Sequence, residues 1–197
     1  MDMPLIIKVA SIPKERMQVY FIDNDEYFKR KAIFSDEDDQ LFSDNDERAI
    51  FFAKGVVETV KKLNWAPDII HVHGWMASLL PLYIKEYYSD EPLFSESKIV
   101  TSVYDKDFEG SLNVGLVDKI KFDKISDDKI SILQEPNYTN IIKSAVSNSD
   151  AIVQGSSEIP EEIAEEIRNR DVPALSFQEE DSFESYLNFY KELISEE

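Results

Sequence analysis

The stretch "PDIIHVHGWMASLLPLYIKEYY" (Pro67–Tyr88) carries the pattern that decides the fold. Its first part, Asp68 to His73, is a short apolar and β-branched run that predicts a buried strand, and the proline before it suits a strand start. After Gly74 the apolar residues continue over the length of a helix, with Pro81 in its first turns or at a kink. A strand, a turn and a helix in succession are the repeating unit of an α/β protein.

The same alternation continues along the chain. Further strands are predicted at 98–104 ("KIVTSVY"), 151–157 ("AIVQGSS") and 172–177 ("VPALSF"). Apolar residues at helical spacing predict helices at 44–65, 137–150, 159–170 and 182–194. Near-continuous apolar strands between helices predict a three-layer, Rossmann-like parallel sheet with helices on both faces. We find no internal repeat or linker, so the prediction is one domain over residues 1–197.

Three local features add to this scheme. Residues 4–12 and 17–25 predict a hairpin or two adjacent strands across the turn "PKER". Asp44 or Asp46 is expected to cap the first long helix. The last helix is predicted to be amphipathic, with one apolar side formed by Phe183, Tyr186, Leu187, Tyr190, Leu193 and Ile194.

Composition excludes several function classes. The chain has 40 acidic and 21 basic residues, a net charge of −19, which argues against nucleic acid or an anionic membrane as partner. The absence of cysteine excludes disulfides and thiolate chemistry. No window approaches the roughly 18 apolar residues of a membrane span, and no signal peptide opens the sequence, so we expect a cytoplasmic protein. The acidic segments 35–47 and 178–197 are interpreted as a solvated loop and a solvated helix face.

The candidate chemistry lies at strand ends. In a doubly wound sheet ligands bind beyond the carboxyl ends of the strands, where His73, Tyr104 and Gly155 fall. His71 and His73 point to the same side of their strand, but a metal site needs a further ligand that the neighbouring sequence lacks. His71, between apolar neighbours, is interpreted as a hydrogen-bonded structural residue. No Walker, G-x-G-x-x-G or G-x-S-x-G motif is present, and nothing singles out a pair of carboxylates for glycoside chemistry.

Five stretches, in order, resemble the N-terminal domain of bacterial glycogen synthases and plant starch synthases. They are "VYFIDNDEYFKRK" (19–31), "FSDNDERAIFFAKGVVE" (42–58), "WAPDIIHVHGWMASLLPLYIK" (65–85), "VTSVYDKDFEG" (100–110) and "NIIKSAVSNSDAIVQGSSEIPEEI" (140–163). The resemblance covers most of residues 17 to 168. It implies a retaining glucosyltransferase of the two-Rossmann-domain (GT-B) type, which extends α-1,4-glucan from the donor ADP-glucose and uses neither metal nor other cofactor.

The resemblance also implies site residues. The aspartate and second histidine that line the glucose site of the family match Asp44 and His73, which become the candidate catalytic residues. The residues that match its substrate-binding positions are Asn45, Trp75, Tyr104, Asp105, Glu109 and Gly110.

The sequence departs from the family at informative places. Gly74 replaces an aspartate, Tyr104-Asp105 replaces a histidine–asparagine pair, and Glu109 replaces a glutamine. The family's opening strand, its phosphate-gripping "K-x-G-G-L" loop and its second Rossmann domain have no counterpart here. The abrupt start inside a strand suggests that the first strand belongs to a longer gene product. We therefore expect an incomplete N-terminal half whose binding of ADP-glucose is doubtful, because retaining transfer depends on stabilising the leaving diphosphate.

Two functional hypotheses follow. In the first, the chain is the acceptor-side domain of a glycogen/starch synthase, inactive alone, whose second domain comes from a protein partner. In the second, it is a non-catalytic module derived from such an enzyme, which binds α-glucan or regulates a synthase.

Overall fold

The computed structural model describes residues 3–179 and 183–195. The strands are β1 (Ile6–Ile12), β2 (Met17–Asp23), β3 (Ile69–His73), β4 (Lys98–Val103), β5 (Ala151–Gln154) and β6 (Ala174–Leu175). The helices are α1 (Asp25–Phe28), α2 (Asn45–Leu63), α3 (Leu80–Leu82), α4 (Leu116–Phe122), α5 (Asp127–Ile130), α6 (Tyr138–Ser147), α7 (Glu161–Arg168) and α8 (Phe183–Ser195). None of the helices in this part of the chain combines the length and apolarity that a membrane crossing requires.

The central sheet contains the four strands that the apolar runs predict. They lie in the order β3-β4-β5-β6, and every neighbouring pair is parallel. The register places His73 opposite Ser102, so the carboxyl ends of β3 and β4 meet at one edge. The prediction of a parallel α/β sheet is confirmed.

Residue parity divides the sheet into two faces. Ile99, Val103 and Ile152 point into the larger core, which they share with α2, α3, α4, α6 and α7. Val100 and Val153 point the other way and pack against α8. Helices therefore cover both faces, as the three-layer prediction requires.

The sheet buries only part of the predicted apolar side of α8. Phe189 and Leu193 are buried against the sheet, and Tyr186 and Tyr190 pack beside them. In contrast, Phe183, Leu187 and Ile194 of the same apolar side are exposed. The helix carries more apolar residues than the sheet face can cover, and spacing alone cannot tell which ones it covers. Of the predicted acidic tail, residues 180–182 and 196–197 lie outside the described residues.

The N-terminal strands form the predicted hairpin as a separate two-stranded antiparallel sheet. Its base packs on α2, where a Cβ atom added to Gly55 would lie 2.9 Å from Ile22 Cγ2. This close approach explains a glycine in the interior of a long helix, where the residue otherwise weakens the structure. The hairpin is thus fixed to α2, outside the parallel sheet.

The helix predicted after β3 is irregular. It begins as a 3₁₀ turn (Trp75–Ala77), continues as α3 and ends as a π-helical turn (Tyr83–Tyr87). Pro81 has no N–H to donate to the preceding turn, so the predicted kink takes the form of this change of hydrogen-bond pattern.

The acidic segment 35–47 is only partly a solvated loop. Residues 36–40 are exposed, as predicted, but Asp46 at its far end is wholly buried. Lys119 of α4 reaches Asp46 with its Nζ atom 2.6 Å from Oδ2. A buried ion pair from a distant helix is invisible in a local charge count, which explains the wrong prediction for Asp46.

Candidate functional site

Three strand ends meet in what we call the carboxyl-edge cluster, formed by His73, Tyr104 and Gly155. The Nδ1 atom of His73, at the end of β3, lies 2.6 Å from the hydroxyl of Tyr104, which follows β4. The Tyr104 ring covers Gly155, which follows β5, so closely that an added Cβ would fall 2.5 Å from the ring. The structure therefore brings together the three residues that the strand ends predict.

His71 lies two residues before His73 on β3, and both of its ring nitrogens have hydrogen-bond partners. Its ring centroid is 4.0 Å from that of His73, as expected for residues on the same side of a strand. Its Nδ1 lies 2.5 Å from the hydroxyl of Tyr190 in α8, and its Nε2 lies 2.8 Å from that of Ser102. These bonds fit the predicted structural role. Within residues 3–179 and 183–195, no three His, Cys, Asp or Glu side chains gather to hold a metal ion.

Burial keeps both imidazoles neutral. It lowers the pKa of His71 to about 4, with a smaller contribution from the neighbouring His73. Burial also lowers the pKa of His73 and raises the pKa of Tyr104. At neutral pH the carboxyl-edge cluster and the neighbouring His71 therefore offer uncharged hydrogen-bonding groups.

This burial predicts an acid-sensitive fold. Unfolded His71, with its ordinary pKa of 6.5, takes up a proton that the folded residue accepts only near pH 4. Between these values the unfolded state binds more protons, so the free energy of unfolding decreases as the pH is lowered, by at most about 1.4 kcal/mol per pH unit. The contribution is complete above pH 6.5. Urea unfolding at pH 7 and pH 5 should show a smaller loss for His71→Gln than for the wild type; equal losses would contradict this prediction.

The contact between Gly155 and Tyr104 predicts a coupled pair. Gly155→Ala should cost about 1–3 kcal/mol of unfolding free energy, because the new methyl group displaces the Tyr104 ring and its bond to His73. In a Tyr104→Ala background the same change should cost much less. A double-mutant cycle by urea unfolding measures the difference, and additive losses would refute the contact.

The loop after β4 begins with Tyr104 and holds three further predicted residues, Asp105, Glu109 and Gly110. Tyr138 of α6 donates its hydroxyl to the backbone carbonyls of Tyr104 and Asp105, at 3.2 and 2.8 Å, which fixes the start of the loop. Glu109 is exposed and paired with Lys106 at 2.6 Å. Gly110 has a φ of +80°, a conformation that favours glycine.

Sequence reasoning missed two residues of this loop. Burial, with the charge of Asp105, raises the pKa of the Asp107 carboxyl. Phe108 packs at 5.1 Å from Trp75 and 5.6 Å from Tyr138, measured between ring centroids, and anchors the loop to the core. The available signal was a single aromatic residue, Phe108, among the polar residues of "DKDFEG", which indicates a loop anchored to the core.

Trp75, predicted to contact substrate, lies in the core behind the edge. Its side chain is 1% exposed, and its ring packs between those of Phe34 (4.8 Å) and Phe108 (5.1 Å). Its indole Nε1 has no hydrogen-bond partner within the described residues. In this conformation the Trp75 side chain supports the edge from below.

The two residues predicted at the start of α2 also have protein partners. Asp44 occupies the N-cap position without capping through its side chain, since its carboxylate binds the Arg30 guanidinium, with Nη1–Oδ1 at 2.8 Å. This hydrogen bond lowers the pKa of Asp44. Asn45 is buried and donates to the carbonyl oxygen of Phe34 at 2.8 Å. Through Phe34, which packs on Trp75, the start of α2 reaches the underside of the edge.

Comparison with known proteins gives one consistent picture. The family model described as starch synthase catalytic domain matches residues 1–173. The chain is 33% identical to the glycogen synthase of Chlorobium luteolum over 178 residues, which is 89% of this chain and 35% of that protein. It is also 33% identical to the glycogen synthase of Chlorobium limicola, over 81% of this chain and 32% of that protein.

A solved structure shows the same fold. The catalytic domain of starch synthase IV from Arabidopsis thaliana, bound to ADP and acarbose, matches 94% of this chain with a TM-score of 0.57 and 18% identity. The match covers 35% of that chain. The chain thus spans about a third of the length of the relatives that it matches.

Proposed function

This chain belongs to the starch synthase catalytic domain family, and on that premise we propose that it is the acceptor-side domain of a glycogen/starch synthase-like glucosyltransferase. It binds α-1,4-glucan as a single domain. It takes part in transfer from ADP-glucose only when a protein partner supplies the donor site, and alone it transfers no glucose.

The charge of the carboxyl edge carries this proposal. The loop after β4 presents the carboxylates of Asp105, Asp107 and Glu109, while its one cation, Lys106, is already paired with Glu109. A nucleoside diphosphate leaving group needs cations or aligned donors to stabilise its charge. A neutral glucan needs no cations for its binding, so the acidic edge suits the acceptor glucan better than the donor ADP-glucose.

A second candidate, a non-catalytic module that binds glucan or regulates a synthase, is favoured by one contact. The Tyr104 hydroxyl lies 2.6 Å from Nδ1 of His73. Asp44 is likewise neutralised by Arg30. Both candidate catalytic groups are therefore engaged within the protein, which favours binding over chemistry.

Calorimetric titration of the chain with maltoheptaose and with ADP-glucose tests the proposal, together with incorporation of labelled glucose into glucan. We expect binding of maltoheptaose and no transfer. Transfer by the chain alone, or binding of ADP-glucose without maltoheptaose, would refute it.

Addition of the chain to full-length Chlorobium luteolum glycogen synthase separates the two candidates. A regulatory module changes the rate of glucose incorporation by that enzyme. An acceptor-side domain that awaits its own partner leaves the rate unchanged.

A further inference from the structure

A groove of about 720 Å³ lies between the tip of the β1–β2 hairpin and the C-terminal end of α2, and we call it the end groove. Its volume falls in the range of about 300–1,000 Å³ typical of small-molecule sites. Aromatic, aliphatic and polar side chains line it together: Tyr20 and Trp65, Met17 and Leu63, Arg16 and Gln18.

The groove results from the way the hairpin leaves the helix. Register pairs Ser11 with Gln18, and alternation places both on the same hairpin face as Tyr20 and Ile22. At the base of this face, Ile22 packs tightly against Gly55 of α2. Toward the tip the same face lines open space, so Ser11, Gln18 and Tyr20 remain available to a ligand.

Trp65 presents an exposed aromatic surface at a fixed position. It follows the end of α2, where Asn64 adopts a left-handed conformation (φ +50°) and the Trp65 backbone N–H donates to the carbonyl of Val60 at 3.3 Å. Its side chain is 55% exposed, although tryptophan is normally well buried. A rigid helix end therefore holds a large aromatic ring at the mouth of the groove.

Arg16 supplies unused hydrogen-bond donors beside that ring. Within the described residues its guanidinium has no hydrogen-bond or ion-pair partner, whereas the guanidinium groups of the other four arginines all donate to protein oxygens: Arg30, Arg48, Arg168 and Arg170. Gln18 and Tyr20 are hydrogen-bonded to each other through the hydroxyl and the amide oxygen, which leaves the Gln18 NH₂ group as a further donor.

We propose that the end groove binds a neutral oligosaccharide, an α-1,4-glucan chain, at a second site apart from the carboxyl edge. A sugar ring offers an apolar C–H face for Trp65 and hydroxyls that accept from Arg16 and Gln18. An anionic ligand fits less well, because among the described residues Arg16 is the one cation lining the groove, and the chain carries a net charge of −19. The choice of an α-1,4-glucan rests on the proposed function above.

The chain contains two tryptophans, which makes the site testable by ¹⁹F NMR after labelling with 5-fluorotryptophan. Trp65 lies in the end groove, and Trp75 lies behind the carboxyl edge. On titration of the full chain with maltoheptaose we expect the Trp65 resonance to move as the end groove fills, and the Trp75 resonance to move separately as the carboxyl edge fills. Movement of the Trp75 resonance alone would overturn the end groove and leave glucan binding at the carboxyl edge intact.

Variants extend the test. Trp65→Ala should weaken maltoheptaose binding to the groove about tenfold or more, and Arg16→Ala should weaken it severalfold. Phe122→Ala, which removes a side chain that is 83% exposed on α4, serves as the matched control and should bind normally. Before maltoheptaose is added, a Trp75 resonance at its wild-type position confirms that Trp65→Ala is folded. Full binding by Trp65→Ala would refute the groove alone, and no binding by the wild type would refute both the groove and the proposed function.

Discussion

Trp75→Ala is expected to lower the free energy of unfolding by about 3–5 kcal/mol. The side chain is almost completely buried, and its ring packs against Phe34 and Phe108. Removing it leaves a cavity beneath the carboxyl edge that the surrounding helices and loop can fill only in part. Loss of Phe34 and Phe108 packing should also loosen the start of α2 and the loop after β4.

The second tryptophan provides the control. Trp65→Ala removes the same side chain from an exposed position and should change stability by no more than about 0.5 kcal/mol. Urea unfolding followed by far-ultraviolet circular dichroism compares both variants without relying on tryptophan fluorescence. Similar losses of unfolding free energy for Trp75→Ala and Trp65→Ala would contradict the prediction that the buried tryptophan stabilises the fold more than the exposed one.

Lys119→Met is expected to cost a comparable amount, about 3–5 kcal/mol. Lys119 Nζ lies 2.6 Å from Asp46 and 2.8 Å from Glu47, and Asp46 is wholly buried. Methionine keeps most of the aliphatic stem but leaves the Asp46 carboxylate without its cation. The other carboxylate oxygen of Asp46 has no hydrogen-bond partner within the described residues. In Lys119→Met the buried carboxylate would therefore also lose its Lys119 partner, which raises the cost of burying its charge.

A double variant shows whether the loss of stability in Lys119→Met arises from the unpaired carboxylate of Asp46. Asp46→Asn combined with Lys119→Met removes both charges, and we expect it to recover about 2 kcal/mol relative to Lys119→Met. Lys121→Met is the matched control: Lys121 lies on α4 like Lys119 but forms an exposed pair with Asp127 of α5, so the change should cost less than about 1 kcal/mol. A Lys119→Met variant as stable as this control would refute the buried pair.

Most of the fold could be read from short-range patterns. The strands predicted at 98–104 and 151–157 contain short runs of consecutive apolar residues, Ile99-Val100 and Ala151-Ile152-Val153, because helices cover both faces of a parallel sheet, and such runs can be recognised locally. The hairpin was equally local, since "PKER" separates two β-rich runs. The helix at 182–194 was predicted in place, but its buried side was not, because burial depends on where a neighbouring sheet lies.

The candidate site was only partly predictable. The strand-end rule placed His73, Tyr104 and Gly155 at one edge, and the structure joins them. The functional roles assigned to the site residues came from the family resemblance and remain predictions. The arginine that neutralises Asp44 lies 14 residues earlier, in a segment with no recognisable strand or long helix. No spacing rule connects such a pair.

By itself the sequence determined the α/β class, the strand end at which His73 lies, and the family to which the five motifs point. These are properties of local periodicity and of ordered residue identities. Only the tertiary structure decided that the Tyr104 hydroxyl hydrogen-bonds to His73 and that Trp75 supports the edge from the core. It also decided that Trp65 and Arg16 line the same groove. Those outcomes depend on contacts between residues far apart in the chain, whose energies arise from packing and desolvation once the elements meet.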